Sequence, residues 1–376
     1  MSERWRHNFL ARGEKFHGFW KDYFTADRKV AYILAEGFDP RMCEALSAIR
    51  KAGWNGEGDC LLLRLGYGPV EKPMQSLVEK NRVELNELVD ASRITENTIN
   101  VKAAKQRGEG SRQAAILVRR FLETTKATDV IVDINAMPKS VGLSVLSSAL
   151  KHSDAERDAG RIVNVHCVVS HNPTLDDRMA RVDVQRDPFL LSGFLSGFES
   201  EDNTAVNRII WMPILGSGQR DQLDAIRSKF PPTETCAAVP SPSVNPRKGD
   251  DLITEYQDMF IDEKGRFLLG NVLRVSERDP FEAYYELVTT IEQYATTYRL
   301  LDGCKVLLSS HSSKLLSVAC LLAAYDAQDR GLCHGVSVAF VEAYGHRYDP
   351  KEGTPSGQSE FFEMWLAGDP YISKAD

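Results

Sequence analysis

The sequence predicts an α/β protein built from two Rossmann-like units with mainly parallel sheets, the second half a pseudo-duplicate of the first. Three observations predict it. Apolar strand-length runs alternate with helical patterns along the whole chain. Several runs, such as "VIVDI", "VHCVVS" and "KVLLSS", are apolar without alternation, as expected of parallel strands covered on both faces. Finally, two short patterns recur in the same order in each half.

The elements follow in order. Residues 1–28 read as a polar and aromatic helical lead-in. "KVAYILAEGFDPRMCEALSAIRKAG" is strand, tight loop and helix, closed by Gly53. "GDCLLLRLGYGP" is a second buried strand, and residues 71–112 read as a polar helical excursion with a basic "KAAKQRGEGSR" segment. After a helix over 113–126 comes "VIVDINAMPKSVGLSVLSSAL", a strand that passes through a small polar loop into a helix. "RIVNVHCVVSHNP" and "NRIIWMPILGSG" are further strands, separated by "RDPFLLSGFLSGFESEDNT", whose aromatics read as an exposed contact surface for a partner. A helix over 219–230, a Pro-rich crossing, and "DLITEYQDMFI" precede three more strands: "NVLRVS", "KVLLSS" and "GVSVAF". The expected division is therefore a lead-in over 1–28, a first unit over 29–180, a connecting region over 181–245 and a second unit over 246–376.

The recurring patterns carry the candidate site. Strand, short loop, Asp-Pro and helix occur at Asp39-Pro40 and again at Asp279-Pro280. Asp is a favoured N-cap and Pro a favoured first helical residue, so both pairs also read as helix punctuation. Strand, small polar loop, Lys and apolar helix occur at Lys139 and Lys314. A cation at the positive end of a helix dipole is unfavourable unless an anion is near. An internal carboxylate, Asp39 or Asp279, would satisfy it, and so would a ligand phosphate on the free amides of the helix start. The strand ends concerned face the crevice of a doubly wound sheet. Arg41 and Arg278 are candidate second donors, since a guanidinium suits a phosphate bidentately. Asn135, Ser309, Ser310, His311 and Ser312 are candidate hydrogen-bonding residues for sugar or base, and Ser276, in the early wall of the second half, is a further ligand-binding candidate.

Other motifs point away from common chemistries. There is no GxxxxGK[ST] phosphate loop and no GxSxG elbow, and "ILGSGQRDQL" matches a phosphate loop only in part. The seven cysteines are scattered with no CxxC, which supports neither a zinc site nor a disulfide framework. No metal or cofactor is expected. Net charge is −7, so a broad basic face for duplex DNA is not expected. The opening residues lack a signal-type apolar run and no stretch reaches about 18 apolar residues, so a cytoplasmic protein is expected.

"NAMPK" (Asn135 to Lys139) and "SHSSK" (Ser310 to Lys314), with "EGFDPR" and "SERDP" as early walls, resemble the ligand loops of CARF domains and the related SAVED domains. Neither loop contains the Gly-Thr usual there. The resemblance implies Rossmann-like sensing of an anionic nucleotide or cyclic oligonucleotide between two halves, and signalling to a protein partner in an antiphage system. On that reading the chain is a sensor or adaptor rather than an enzyme. The alternatives are an enzyme acting on a nucleotide or sugar phosphate, with Asp39, Asp279 and His311 as acid, base or nucleophile, and a scaffold subunit without a small ligand.

Overall fold

The computed structural model describes residues 3–24, 28–66, 72–100, 108–177, 179–184, 187–194, 198, 208–261, 269–341, 343–348 and 358–372. The chain begins with β1 (Phe9–Arg12), α1 (Glu14–Tyr23), β2 (Val30–Glu36), α2 (Glu44–Lys51), β3 (Gly58–Gly66), α3 (Lys72–Leu88) and β4 (Ile94–Asn100). It continues through α4 (Glu109–Thr124), β5 (Asp129–Asp133), α5 (Lys139–Asp158), β6 (Asn164–His171), α6 (Pro173–Asp177) and β7 (Met179–Val184). A second series follows: β8 (Phe189–Leu190), β9 (Ile209–Ile214), α7 (Arg220–Lys229), β10 (Glu234–Thr235), β11 (Ala237–Pro240), α8 (Lys248–Glu255) and β12 (Val272–Val275). Then come α9 (Pro280–Tyr298), β13 (Lys305–Ser310), α10 (Lys314–Asp329), β14 (Gly335–Phe340), β15 (Ala343–Tyr348) and β16 (Glu360–Ala367).

Two compact units result. The first comprises His7–Asp183 and Ala343–Asp376, the second Met1–Arg6 and Val184–Glu342. The expected α/β class with mainly parallel sheets is what the structure has. In the first unit the sheet order is β1-β16-β6-β5-β2-β3-β4, with β2 to β6 parallel and β16 antiparallel to β6. In the second it is β12-β11-β9-β13-β14-β8, with β9, β11, β12, β13 and β14 parallel. Numbered within each unit, both parallel sets run 3-2-1-4-5, the doubly wound order. The duplication is therefore one of topology: β2 corresponds to β9, β5 to β13, α5 to α10.

The boundaries differ from the linear division expected. Residues 181–245 are no connector, since they supply β8, β9, β10 and β11 to the second unit. The stretch 1–28 is not a helical lead-in alone: β1 pairs with β16, and Met1–Arg6 joins the second unit. There Trp5 is fully buried, edge-on to Tyr284 at 5.4 Å between ring centroids. The last strand, β16, returns to the first sheet between β1 and β6. Residues 71–112 contain β4, a polar edge strand hidden from pattern reading because only one side of it is covered; residues 101–107 of the basic segment lie outside the described residues. The aromatic stretch taken for an exposed contact surface is, where described, core: Phe189 and Phe194 are buried and β8 pairs with β14.

α5 and α10 are the most enclosed helices among the described residues, each covered on nearly all sides. That is the environment of a helix whose pattern is apolar all round. Ser313 caps α10 by accepting from the Leu316 amide, and Asp279 caps α9 by accepting from the Phe281 and Glu282 amides with Pro280 at the first position. The punctuation reading of Asp279-Pro280 is thus correct. For Asp39-Pro40 it is not, because α2 starts at Glu44.

Candidate active site

A 3-2-1-4-5 sheet reverses its winding between strands 1 and 4, and ligands bind outside the carboxyl ends there. In the first unit those ends are β2 and β5, followed by the loops 37–43 and 134–138. The two loops touch: a Cβ on Gly37 would lie 3.6 Å from Ala136. Asp39, Arg41, Asn135 and Lys139 are thereby brought to one end of the sheet.

The local chemistry is specific. Arg41 is 4% exposed and grips Asp39 with two bonds, Nε to Oδ1 at 3.0 Å and Nη2 to Oδ2 at 2.8 Å. Its Nη1 donates to Asp176 Oδ1 at 2.8 Å. Burial alone would lower the guanidinium, but Asp39 and then Asp176 outweigh it and hold Arg41 firmly protonated. Asn81 of α3 donates to the carbonyls of Gly37 and Asp39, which fixes the loop backbone. Across the crevice, the Asn135 amide N–H donates to Asp133 Oδ1 at 2.9 Å, and the Asn135 side chain exchanges bonds with Ser170 of β6. Tyr32 holds the other Asp133 oxygen at 2.9 Å. Lys139 is the half-buried first residue of α5.

Glu44, the first residue of α2, completes the group and was not singled out from the sequence. Burial pushes its carboxyl up; the Ser359 hydroxyl and Arg41 pull it down, Asp39 pushes it up again, and the balance lies above the usual carboxylate range. One end of the sheet therefore holds a carboxylate braced by arginine, a second carboxyl pushed up by burial, and a lysine at a helix start. A carboxylate held by arginine beside a carboxyl pushed up by burial is an arrangement that can supply a base and an acid. A helix start read as mere punctuation conceals Glu44, since acidic residues are common there for dipole reasons alone.

The second unit repeats the topology and fills it differently. Its switch loops are 215–219, after β9, and 311–313, after β13. They pack backbone to backbone: a Cβ on Gly216 would collide with the His311 carbonyl. His311 is buried, its Nδ1 3.1 Å from Gln222 Oε1 and its Nε2 3.2 Å from Ser309 Oγ, which also accepts from Trp211 Nε1. Ser310 Oγ lies 2.9 Å from Ser317 Oγ, inside the core. The "GSGQ" loop already holds an anion, the Glu255 carboxylate, which accepts from the Gly218 amide at 2.7 Å and from the Ser217 hydroxyl at 2.8 Å. Partial burial pushes Glu255 up, but these two bonds outweigh it and keep the carboxyl below its usual range. Ser276 and Arg278 follow β12, three strands from β13, about 14 Å at the usual strand spacing. They are not the counterpart of the 36–41 wall; the "GSGQ" loop is. Lys314 and Ser312 stand half-buried at the start of α10.

A third polar cluster lies at the opposite end of the first sheet. Glu363 of β16 and His166 of β6 are both fully buried, with Oε1 2.6 Å from Nδ1. His166 Nε2 is 2.8 Å from Tyr23 Oη, and Tyr23 donates to Asp129 Oδ1 at 2.5 Å. Arg28 Nη1 donates to both Tyr23 and Asp129 at 2.8 Å. Burial pushes Glu363 well up and His166 well down, which shifts both toward their neutral forms. One arrangement satisfies every donor: Glu363 O–H to Nδ1, Nε2–H to Tyr23, Tyr23 O–H to Asp129. His166 and His171 are five apart on a strand, hence on opposite faces. Among the described residues no group of three or more His, Cys, Asp or Glu could hold a metal ion.

These features define an α/β protein of doubly wound, Rossmann-like type. No protein-family model and no curated protein matches the chain. A solved structure from Listeria monocytogenes, described as a candidate UDP-N-acetylglucosamine 2-epimerase, is similar over 77% of this chain and 76% of its own, at 10% identity and a TM-score of 0.25. A likeness at that level defines no substrate. The expected sensor or adaptor function is nevertheless corrected. Arg41, cast as a phosphate donor, is occupied by Asp39 and Asp176. His311 and Ser310, cast as base or sugar contacts, are internal. No helix of the described residues is long and apolar enough to cross a membrane.

Proposed function

We propose that the chain is an enzyme acting on an anionic nucleotide or sugar phosphate at the switch crevice of the first unit. One observation carries the reading: Asp39, braced by Arg41, stands with Glu44, whose carboxyl burial pushes above its usual range, at the carboxyl ends of β2 and β5. Lys139 at the N-terminal end of α5, where the helix dipole is positive, suits the phosphate. Glu44 serves as general acid toward the leaving oxygen, and Asp39 or Asp176 as the base that activates water or an acceptor hydroxyl. The reaction class is hydrolysis or glycosyl transfer. The test is turnover of a panel of nucleotides, nucleoside diphosphate sugars and sugar phosphates, followed by NMR, together with calorimetric binding. Glu44→Gln is expected to lose at least about 100-fold in kcat while the binding constant changes little, since a positioned acid is worth about 10²–10⁴. Full activity in Glu44→Gln, or no binding of any phosphate compound, would remove the reading.

A further inference from the structure

Four charged side chains stand where β2, β3 and β4 meet α3, apart from the acids around Arg41. Glu36 is the last residue of β2 and is paired in register with Arg64 of β3, so both side chains leave the sheet on the same face. Arg64 Nε donates to Glu36 Oε2 at 3.0 Å, and its Nη1 lies 3.8 Å from Glu96 Oε2 of β4. Arg82 of α3 reaches the same two carboxylates: its Nη1 is 3.5 Å from Glu36 Oε1, and its Nη2 donates to Glu96 Oε1. The group adjoins the proposed crevice. Glu36 runs directly into the 37–43 loop, and Asn81, the residue before Arg82, donates to the Gly37 and Asp39 carbonyls at 2.8 and 2.9 Å.

The two arginines are not equivalent. Arg82 is the more buried, at 27% exposure, and pairs with both carboxylates by itself. Arg64 is 53% exposed and makes one close ion pair, with Glu36. An exposed pair of this kind is weak in water. When Arg64 turns away, Glu36 and Glu96 each keep Arg82, so its departure orphans no carboxylate. Arg41 is the opposite case, 4% exposed and needed by two acids. An arginine that leaves its counter-ion at small cost, near a strand's carboxyl end beside a ligand crevice, is available to a phosphate, which a guanidinium grips bidentately.

We infer, resting on the enzyme reading of that crevice, that Arg64 is a phosphate-binding residue of the first unit and that with Lys139 it selects a diphosphate ligand, a nucleoside diphosphate or its sugar ester. β3 and β5 flank β2 on opposite sides, two strand spacings or about 10 Å apart. Arg64 approaches from the β3 side and Lys139 from the start of α5, just after β5. Two cations on long stems, converging from opposite sides, match two adjoining phosphoryl groups better than one.

The test is titration calorimetry of the full chain with inorganic phosphate and with pyrophosphate at fixed salt. Pyrophosphate is expected to bind at least about tenfold tighter than phosphate, and Arg64→Ala to lose about that factor for pyrophosphate while phosphate binding changes little. Arg64 is exposed, so Arg64→Ala is expected to unfold as the unaltered chain does. Glu36→Gln removes the resting counter-ion and is expected to act in the opposite direction, tightening pyrophosphate by up to about fivefold, a change that a merely structural arginine would not produce. Arg119→Ala, at an exposed arginine of α4, is the control and is expected to change nothing. Equal affinity for the two anions, no binding of pyrophosphate, or full pyrophosphate affinity in Arg64→Ala would overturn the inference. The readout here is binding, whereas the acid assignment is read by turnover in Glu44→Gln. Loss of pyrophosphate in Arg64→Ala together with full turnover in Glu44→Gln would keep the phosphate site and remove the acid.

Discussion

The two units wind the same 3-2-1-4-5 sheet and end it in opposite ways. In the first, the switch loops meet in ordinary van der Waals contact, and their charges form a cluster of three acids about one arginine. In the second, the same loops press backbone to backbone, and Ser217, Gly218, Ser310 and His311 find internal partners. The lesson is that a shared topology fixes where a site can be, while the side chains decide whether it stays a site. Glu255 in the "GSGQ" loop shows this most directly, since a carboxylate sits on the amides that a phosphate would otherwise use.

The largest expected effect separates a buried charge cluster from an exposed one. Arg41→Ala leaves Asp39 and Asp176 without their partner, and removing one member of a buried pair costs about 3–5 kcal/mol. Asp176 is partly exposed, which places the loss toward the lower end. Urea unfolding measures it, and adding Asp39→Ala to Arg41→Ala should recover part of the loss. A drop below about 1 kcal/mol would mean that the cluster is not a bracing element.

The next effect depends on pH. His166 stays neutral when folded but protonates in the unfolded chain below its usual 6.5, so its contribution is present above that pH and lost as the pH falls. Burial raises the Glu363 carboxyl in the fold while the unfolded chain ionises above its usual 4.5, so its contribution is lost as the pH rises. The two contributions run in opposite directions with pH. Above the usual 6.5 of His166 only the Glu363 contribution still changes, and stability should fall as the pH rises, by at most about 1 kcal/mol per pH unit. Glu363→Gln, followed by thermal unfolding from pH 5 to pH 9, should flatten that alkaline limb. An unchanged limb would show that Glu363 is ionised in the fold.

The smallest effect is expected at Glu255→Gln. This carboxylate is exposed, so solvent screening limits the change to less than about 1 kcal/mol. Its value lies in sharpening the comparison. If Glu255→Gln gains affinity for inorganic phosphate, the second crevice is a phosphate loop closed by its own side chain; if it gains none, the loop is built for the carboxylate.

Much of the fold was legible in the chain. The continuous apolar runs of β5, β6, β13 and β14 announce parallel strands, because a strand covered on both faces has no polar side to alternate with. Lys139 and Lys314 were placed at helix starts by local pattern, and both are the first residues of α5 and α10. Less was legible where pairing is remote. β4 reads as polar because it is an edge, and β16 belongs to the first sheet although some 190 residues separate it from its neighbour β6. Asp39 and Asp279 look alike in sequence, yet one is clamped by arginine and the other caps a helix.

The sequence by itself determined the α/β class, the run of parallel strands and the helix starts, because these follow from hydrophobic period and capping, which act over a few residues. Only the tertiary structure decided the rest. It made Arg41 a brace instead of a ligand donor by bringing Asp176 beside it, and it buried His166 against Glu363 across β6 and β16. The physical reason is the same in each case. A side chain's charge, protonation and free bonding capacity depend on partners distant along the chain, and strand order alone chooses those partners.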